Sequence, residues 1–296
     1  MTQRKGEALI ALALGLRGTS LLFSKIAMRT LDPFTLCAVR FLISFAVVAL
    51  IFHKRLARMN KAEFLHSILI GFLYFLCMAF ELLGLRTTPS STTAFIENTA
   101  VVFIPLITAV IYKRKPRSMD MICAFLALAG IGLLTLKGSR IAFTTGELLV
   151  LGGAISFAFT VIAMDATTVH DDPLIIGIMQ LLFIGLFSLA AALIFEDFRM
   201  PASGSEWDAI LYLALVCGAI GFTLQPVGQK YTTPERSGLF LAFNPLAAGV
   251  LGVIFLGERF SAFGLLGCVL ILASIFLPSA VEAGLFAGSR REGRSE

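Results

Sequence analysis

Ten runs of apolar residues, each about long enough to cross a bilayer as a helix, follow one another along this chain. They cover roughly residues 7–28, 33–53, 64–85, 91–112, 118–136, 146–166, 173–195, 207–230, 234–257 and 260–278. Composition agrees: of 296 residues, 57% are hydrophobic and 15% charged, with a mean hydropathy of +0.89. A soluble domain carries roughly a quarter charged residues. Water cannot solvate a surface drawn from this stock, so lipid must cover most of it. The expected fold is an all-α integral membrane protein with ten transmembrane helices, because only helices satisfy their own backbone in lipid without a closed barrel.

Local chemistry marks where the helices begin. Asp32-Pro33 and Asp172-Pro173 each place a capping carboxylate before a proline at the first helical turn. Thr88-Pro89-Ser90 and Thr233-Pro234-Glu235 punctuate the fourth and ninth runs in the same way. The first run starts near Ala8 and has no small-residue cleavage site after it, so it is expected as a retained helix. Cys37, Cys77, Cys123, Cys217 and Cys268 each fall inside an apolar run without CxxC spacing. They are expected to pack, not to form disulfides or bind metal.

Lysine and arginine set the orientation. The loops at residues 4–5, 54–61, 113–117, 230–236 and 290–294 lie on one side and hold 15 of them, against six on the other. The excess places both termini in the cytoplasm, with the chain in a plasma membrane, the inner one in a bacterium. The net charge of +5 is thereby explained by topology, and nucleic acid is not an expected partner. Expected partners are the bilayer and a small-molecule substrate, with the chain a monomer or homodimer.

The halves resemble each other at an offset of about 140 residues. Gly6-Glu7 matches Gly146-Glu147, Asp32-Pro33 matches Asp172-Pro173, Ile26-Ala27-Met28 matches Ile162-Ala163-Met164, and Thr87-Thr88-Pro89 matches Thr232-Thr233-Pro234. Five spans per half is an odd number, so the second half enters from the opposite side. This predicts two inverted five-helix repeats, residues 1–137 and 138–281, followed by a basic cytoplasmic tail, 282–296. Transporters use this device, with the substrate site near the midplane. The basic loop at 53–63 faces an acidic counterpart around Glu196, Asp197, Glu206 and Asp208.

Over nearly its whole length the chain resembles the drug/metabolite transporter superfamily, in its EamA branch of ten-helix carriers. Arg17-Gly18 stands where that family has Trp-Gly, followed by Lys25, Asp32-Pro33 and Arg40-Phe41-Leu42. In the second half, Asn244-Pro245 and Leu256-Gly257-Glu258-Arg259 approach the family's proline and Leu-Gly-Glu signature. Lys113-Arg114-Lys115-Pro116 replaces the first-half counterpart of that signature. The resemblance implies a carrier, and export of metabolites, amino acids or toxic cations.

Charged groups inside a bilayer cost about 2.5–3.5 kcal/mol each on insertion scales and mark functional candidates. Here they are Arg17, Lys25, Arg40, Glu81 and Glu97, all in the first half. At least one pairing is expected among Arg40, Glu81 and Glu97. Two readings stand for these three: a structural pair, or a substrate and proton-coupling site at Glu81 and Glu97. Lys25 reads as snorkelling to the interface. Arg17, near mid-span with no partner at its depth, points to a hydrated cavity that takes an anionic group.

Among uncharged residues, Asn98, Gln180, Gln225, Gln229 and Asn244 are candidates for the site or for interhelical hydrogen bonds. Gln180 occupies the position equivalent to Arg40. Pro105, Pro226 and Pro245 free backbone carbonyls within their spans and are candidate hinges. Of 27 phenylalanines, Phe80, Phe95, Phe222, Phe240 and Phe243 neighbour the polar positions and are candidate site walls. The pairs Gly218/Gly221, Gly249/Gly252 and Gly264/Gly267 read as close-packing devices.

An enzyme needs a constellation, and the chain has no HExxH, GxSxG or GxxxxGK[ST] and only three dispersed histidines. No cofactor or metal is expected. A channel would want a repeated filter or a ring of like charge. The loops are too short for a receptor or scaffold to bind much. The reading is a secondary transporter working by alternating access, with an amino acid or related zwitterion or carboxylate as cargo and export as direction. The alternatives are a multidrug or quaternary-cation exporter and, from another class, a membrane enzyme or scaffold.

Overall fold

The structure, a computed structural model, describes residues 3–135, 144–242, 244 and 262–282. Every regular element among them is helical. The first half contains α1 (Gln3–Gly18), α2 (Ser20–Ala27), α3 (Pro33–Ile51), α4 (His53–Leu56), α5 (Lys61–Leu85), α6 (Ser90–Asn98), α7 (Ala100–Ile111) and α8 (Ser118–Thr135). The second contains α9 (Thr145–Thr168), α10 (Pro173–Phe195), α11 (Gly204–Tyr212), a π-helical stretch (Leu213–Phe222), α12 (Thr223–Gln229), α13 (Pro234–Leu239), a 3-10 turn (Phe240–Ala242) and α14 (Ala262–Glu282).

Among the described residues, seven stretches are long and apolar enough to cross a membrane: Gln3–Ala27, Pro33–Ile51, Lys61–Leu85, Thr92–Ile111, Thr145–Thr168, Pro173–Phe195 and Glu206–Gln229. They coincide with seven of the ten expected runs. The fifth and tenth runs appear as α8 and α14, with shorter apolar stretches, Ser118–Leu133 and Ala262–Leu277. The ninth run extends beyond the described residues, as do Phe243, Pro245 and the Leu256–Arg259 signature. Large apolar side chains such as Leu50, Val110, Phe195 and Phe263 are exposed. That arrangement fits a surrounding of lipid, where outward apolar groups carry no cost.

Both Asp-Pro pairs begin helices as expected, with Pro33 and Pro173 in the first turn. Their carboxylates differ in use. Asp172 accepts from its own helix at Leu174 N (3.0 Å). Asp32 instead pairs with Arg86, and the first N–H groups of α3 go elsewhere. Phe34 N and Thr35 N each donate to Glu196, at 2.8 Å, from the far end of α10. Since Arg55, beyond the end of α3, reaches Asp172 at the start of α10 (2.6 Å), the two helices run antiparallel.

Four other pairings complete the frame: α5 with α9, α8 with α14, α5 with α10, and α1 with α12. Glycine makes three of them close: a Cβ on Gly130 of α8 would meet Gly267 O of α14 at 2.7 Å. A Cβ on Gly6 or on Gly228 would meet the other's carbonyl oxygen at 2.8 Å, and one on Gly84 would meet Gly146 O at 2.5 Å. Any side chain there would push the helices apart. Cys37, Cys77, Cys123 and Cys217 are buried and Cys268 is half-buried, all as free thiols within the packing.

At one end of the bundle, the basic loops meet the acidic segment at 165–172. Arg55 pairs with Asp172, His66 Nδ1 lies 2.6 Å from Asp171 Oδ2, and Lys230 Nζ donates to the Asp171 carbonyl (3.2 Å). Glu7–Arg236 (3.1 Å) and Arg114–Glu235 (2.7 Å) belong to the same end. At the other end, Arg199 donates to Thr30 O (2.7 Å) and pairs with Glu206 (2.8 Å).

Candidate functional site

Arg17 closes the last turn of α1, two residues before the chain breaks and restarts at α2. Its side chain is buried, 6% exposed. Nη1 donates to Gln225 Oε1 (2.5 Å) and to the Tyr74 hydroxyl (3.1 Å), and Tyr74 donates to the same Gln225 oxygen (2.8 Å). The guanidinium carbon lies 4.0 Å from the centre of the Phe222 ring, with Tyr74 and Phe157 at 5.4 and 5.5 Å. Gly221 makes room: a Cβ there would stand 2.9 Å from Arg17 Cγ. Neutral dipoles and ring faces thus hold the guanidinium in position, each favourable where water is scarce. Only Nη1 is spent on hydrogen bonds to described residues, which leaves planar N–H donors for an incoming acceptor.

The expected direct pair among Arg40, Glu81 and Glu97 does not form. Arg40 turns to Ser24 Oγ (3.3 Å) and Met78 Sδ (3.1 Å), and its buried Nε has no acceptor among the described residues. Glu81, 4% exposed, has Oε2 without a donor there. The four charges nonetheless feel one another: Arg40 and Arg17 act on Glu81, while Glu81 and Arg17 act on Glu97. The interior therefore gathers two arginines and two glutamates that lie near one another without a direct ion pair. Lys25 reaches the backbone at Thr88 O (3.4 Å), short of this group.

The amides divide by task. Pro226 has no N–H for the carbonyl one turn earlier, that of Phe222, and Gln180 Nε2 donates to it at 2.7 Å. Gln225, the amide adjacent to the proline, is thereby free to serve Arg17. Gln229 Nε2 ties to Val161 O on α9 (2.5 Å), an interhelical bond. Asn98 Nδ2 returns to Ala94 O on its own helix (2.6 Å). Asn98 Oδ1, Gln180 Oε1 and Asn244 Oδ1 are buried without a donor among the described residues. Asn244 lies against the arginine's neighbour, since a Cβ on Gly18 would fall 2.5 Å from Asn244 O.

Phe222 is a wall of the Arg17 site. Phe80 packs toward α9, where a Cβ on Gly152 would meet its ring at 3.6 Å, and Phe95 packs on the apolar core. Pro105 lies within α7, while the interruption of that span falls earlier, at Thr99. Pro226 lies in α12, which follows directly on the π-helical stretch, a geometry frequent at functional sites. Tyr74 and Phe157 are the site residues that the sequence reading omitted. Tyr74 carried a usable signal, because a tyrosine mid-span brings a hydroxyl that must find a partner. Phe157, one phenylalanine among many, carried none.

A sequence profile of the EamA-like transporter family matches residues 4–136 and again residues 144–280. An uncharacterized transporter from Archaeoglobus fulgidus is 26% identical over 94% of this chain and 98% of its own length. The uncharacterized transporter YetK of Bacillus subtilis is 24% identical over 90% of this chain and 84% of its own. The threonine/homoserine exporter RhtA of Escherichia coli is 26% identical over 65% of this chain and 63% of its own. A protein solved by crystallography superposes with a TM-score of 0.78 over 95% of this chain and 99% of that one, at 21% identity.

Proposed function

Since the chain belongs to the EamA-like transporter family, and so is a multi-pass membrane transporter of small molecules and not an enzyme, we propose that it exports an amino acid or a related zwitterion by alternating access. The observation that carries this reading is the buried Arg17, whose N–H donors are not all spent on described residues, beside Arg40, Glu81 and the half-buried Glu97 without a direct ion pair. A zwitterion brings one charge of each sign, and the group offers an arginine to one and glutamates to the other. Its carboxylate meets the unspent N–H groups of Arg17, in planar geometry. Its ammonium meets Glu81 and Glu97, with Arg40 offsetting their charge. Asn98 and Asn244 contribute the remaining acceptors. The named activity of RhtA supports both the cargo class and the direction. A quaternary-cation cargo is less suited, because Arg17 itself covers the ring faces of Phe222, Tyr74 and Phe157.

The moving parts are two inverted five-helix repeats, residues 1–137 and 138–281, making ten spans with both termini in the cytoplasm of a plasma (bacterial inner) membrane. The two separate profile matches support this division. So does the packing, which maps onto itself when the halves are exchanged. α3 and α10 pack with each other, as do α8 and α14, while α1 with α12 answers to α9 with α5. The glycine contacts follow: Gly6 on Gly228 corresponds to Gly146 on Gly84. Pro226 beside the π-helical stretch, with Pro105 and Pro245, supplies the hinges. The carrier works as a monomer or homodimer, and Glu81 and Glu97 can couple it to protons.

Thermal unfolding of the detergent-purified protein against a metabolite panel tests the cargo class. A ligand at 100 times its dissociation constant stabilises by about 2.7 kcal/mol. Amino acids are expected to shift the transition in the native protein and not in Arg17→Ala. Shifts with quaternary cations alone would reverse the assignment. Proteoliposome transport independent of pH would remove the proton role.

A further inference from the structure

A groove of about 540 Å³ opens at the basic end, away from the Arg17 site. Leu224, Val227 and Tyr231 line it from α12 and the residues just after, at helical spacings of three and four. They occupy the face opposite Gln225, so the groove and the central site use different sides of one helix. Leu174 of α10 forms the other wall, and Arg55 and Lys230 stand at the mouth. The groove lies where one span begins, at Pro173, and another ends, at Gln229.

Its charges are unevenly committed. Asp172 is taken by Arg55 Nε (2.6 Å) and by Leu174 N (3.0 Å), and Asp171 Oδ2 by His66 (2.6 Å). Lys230 donates only to an uncharged acceptor, the Asp171 carbonyl, and the Nη groups of Arg55 meet no acceptor among the described residues. The mouth thus offers unspent cationic donors over an apolar floor. A free anion would use the donors and leave the floor wet. A lipid uses both, and basic pockets between helices at the membrane surface are suited to anionic headgroups.

We propose that this groove binds an anionic phospholipid, its phosphodiester between Arg55 and Lys230 and an acyl chain along Leu174, Leu224 and Val227. Tyr231 then sits at the interfacial level that tyrosines favour.

Native mass spectrometry of the full chain, delipidated and offered phosphatidylglycerol or phosphatidylcholine, tests this. Phosphatidylglycerol should be retained about tenfold better, the ammonium of Lys230 and the unused Nη donors of Arg55 being the source of the preference. The double variant Arg55→Gln/Lys230→Gln should erase the preference, and Val227→Trp should block retention of phosphatidylglycerol by filling the groove. An unchanged central site, read by melting temperature and transport, shows that the variants fold. Equal retention of the two lipids would overturn the proposal, as would retention unmoved in both variants. So would displacement of the lipid by equimolar glycerol 3-phosphate, which would make this a site for a soluble phosphate.

Discussion

The charges at the ends of the bundle and those in its middle obey opposite rules. At the ends four acids have found arginines: Asp172 with Arg55, Glu235 with Arg114, Glu7 with Arg236, Glu206 with Arg199. In the middle, where an unpaired charge costs most, two arginines and two glutamates share a neighbourhood without a direct pair. Stability alone would favour the reverse. A buried cation held by an amide, a hydroxyl and three rings keeps its charge unspent for a guest, whereas a salt-bridged one does not. The difference separates charges that fasten helices from charges that read a ligand.

The largest effect should come from emptying the middle. Arg17→Ala is expected to lower the initial rate of amino-acid transport by about a hundredfold, as truncating one member of a buried charged group costs 2–5 kcal/mol. Arg17→Lys should restore little, because a compact ammonium can neither stack flat on Phe222 nor present a planar fork. Wild-type rates in Arg17→Lys, measured in proteoliposomes, would reduce Arg17 to a point charge and weaken the contrast with the ends. Gln225→Leu comes next. It removes the 2.5 Å acceptor that aims Nη1, and should cost about tenfold in apparent affinity with the maximal rate less affected.

A third substitution separates positioning from fastening within the middle itself. Gln180→Leu leaves the Phe222 carbonyl, already denied a partner by Pro226, without its donor. The expected loss is about 1–2 kcal/mol of stability in a denaturant titration, with substrate affinity changing less. Affinity falling more than stability would move Gln180 from scaffold to ligand contact.

Much of this was legible from sequence, for physical reasons that also mark where reading failed. Seven spans could be located because apolar length is a one-dimensional property, and the Asp-Pro starts because capping is local. Arg17, Glu81 and Gln225 stood out because a polar group in a hydrophobic run has no inexpensive place to be. The pairings did not follow. Gln225 sits beside Pro226, yet it is Gln180, 42 residues from Phe222, that answers the proline. Asp32 has the capping position of α3, yet Glu196 of another helix satisfies the N–H groups. The expected pairing of Arg40 with a glutamate assumed that proximity in depth means contact. Which partner a polar group takes is fixed by packing of distant segments, and a single sequence holds no distance between them.

The smallest effect is predicted at the ends, where the comparison is most easily broken. Arg114 and Glu235 lie 2.7 Å apart, with the arginine side chain 53% exposed. Water screens such a pair and its long side chain loses rotamer freedom to make it, so Arg114→Gln should cost less than about 1 kcal/mol. It should also leave transport within about twofold, since the pair lies at the basic end and its fastening role is shared with Glu7–Arg236. Added salt should shrink what difference remains, because the arginine is exposed to screening ions although Glu235 is only 10% exposed. If Arg114→Gln instead slowed transport strongly at unchanged stability, the end pairs would be part of the conformational cycle. The division would then run between charges that open and close a mouth and charges that wait for cargo.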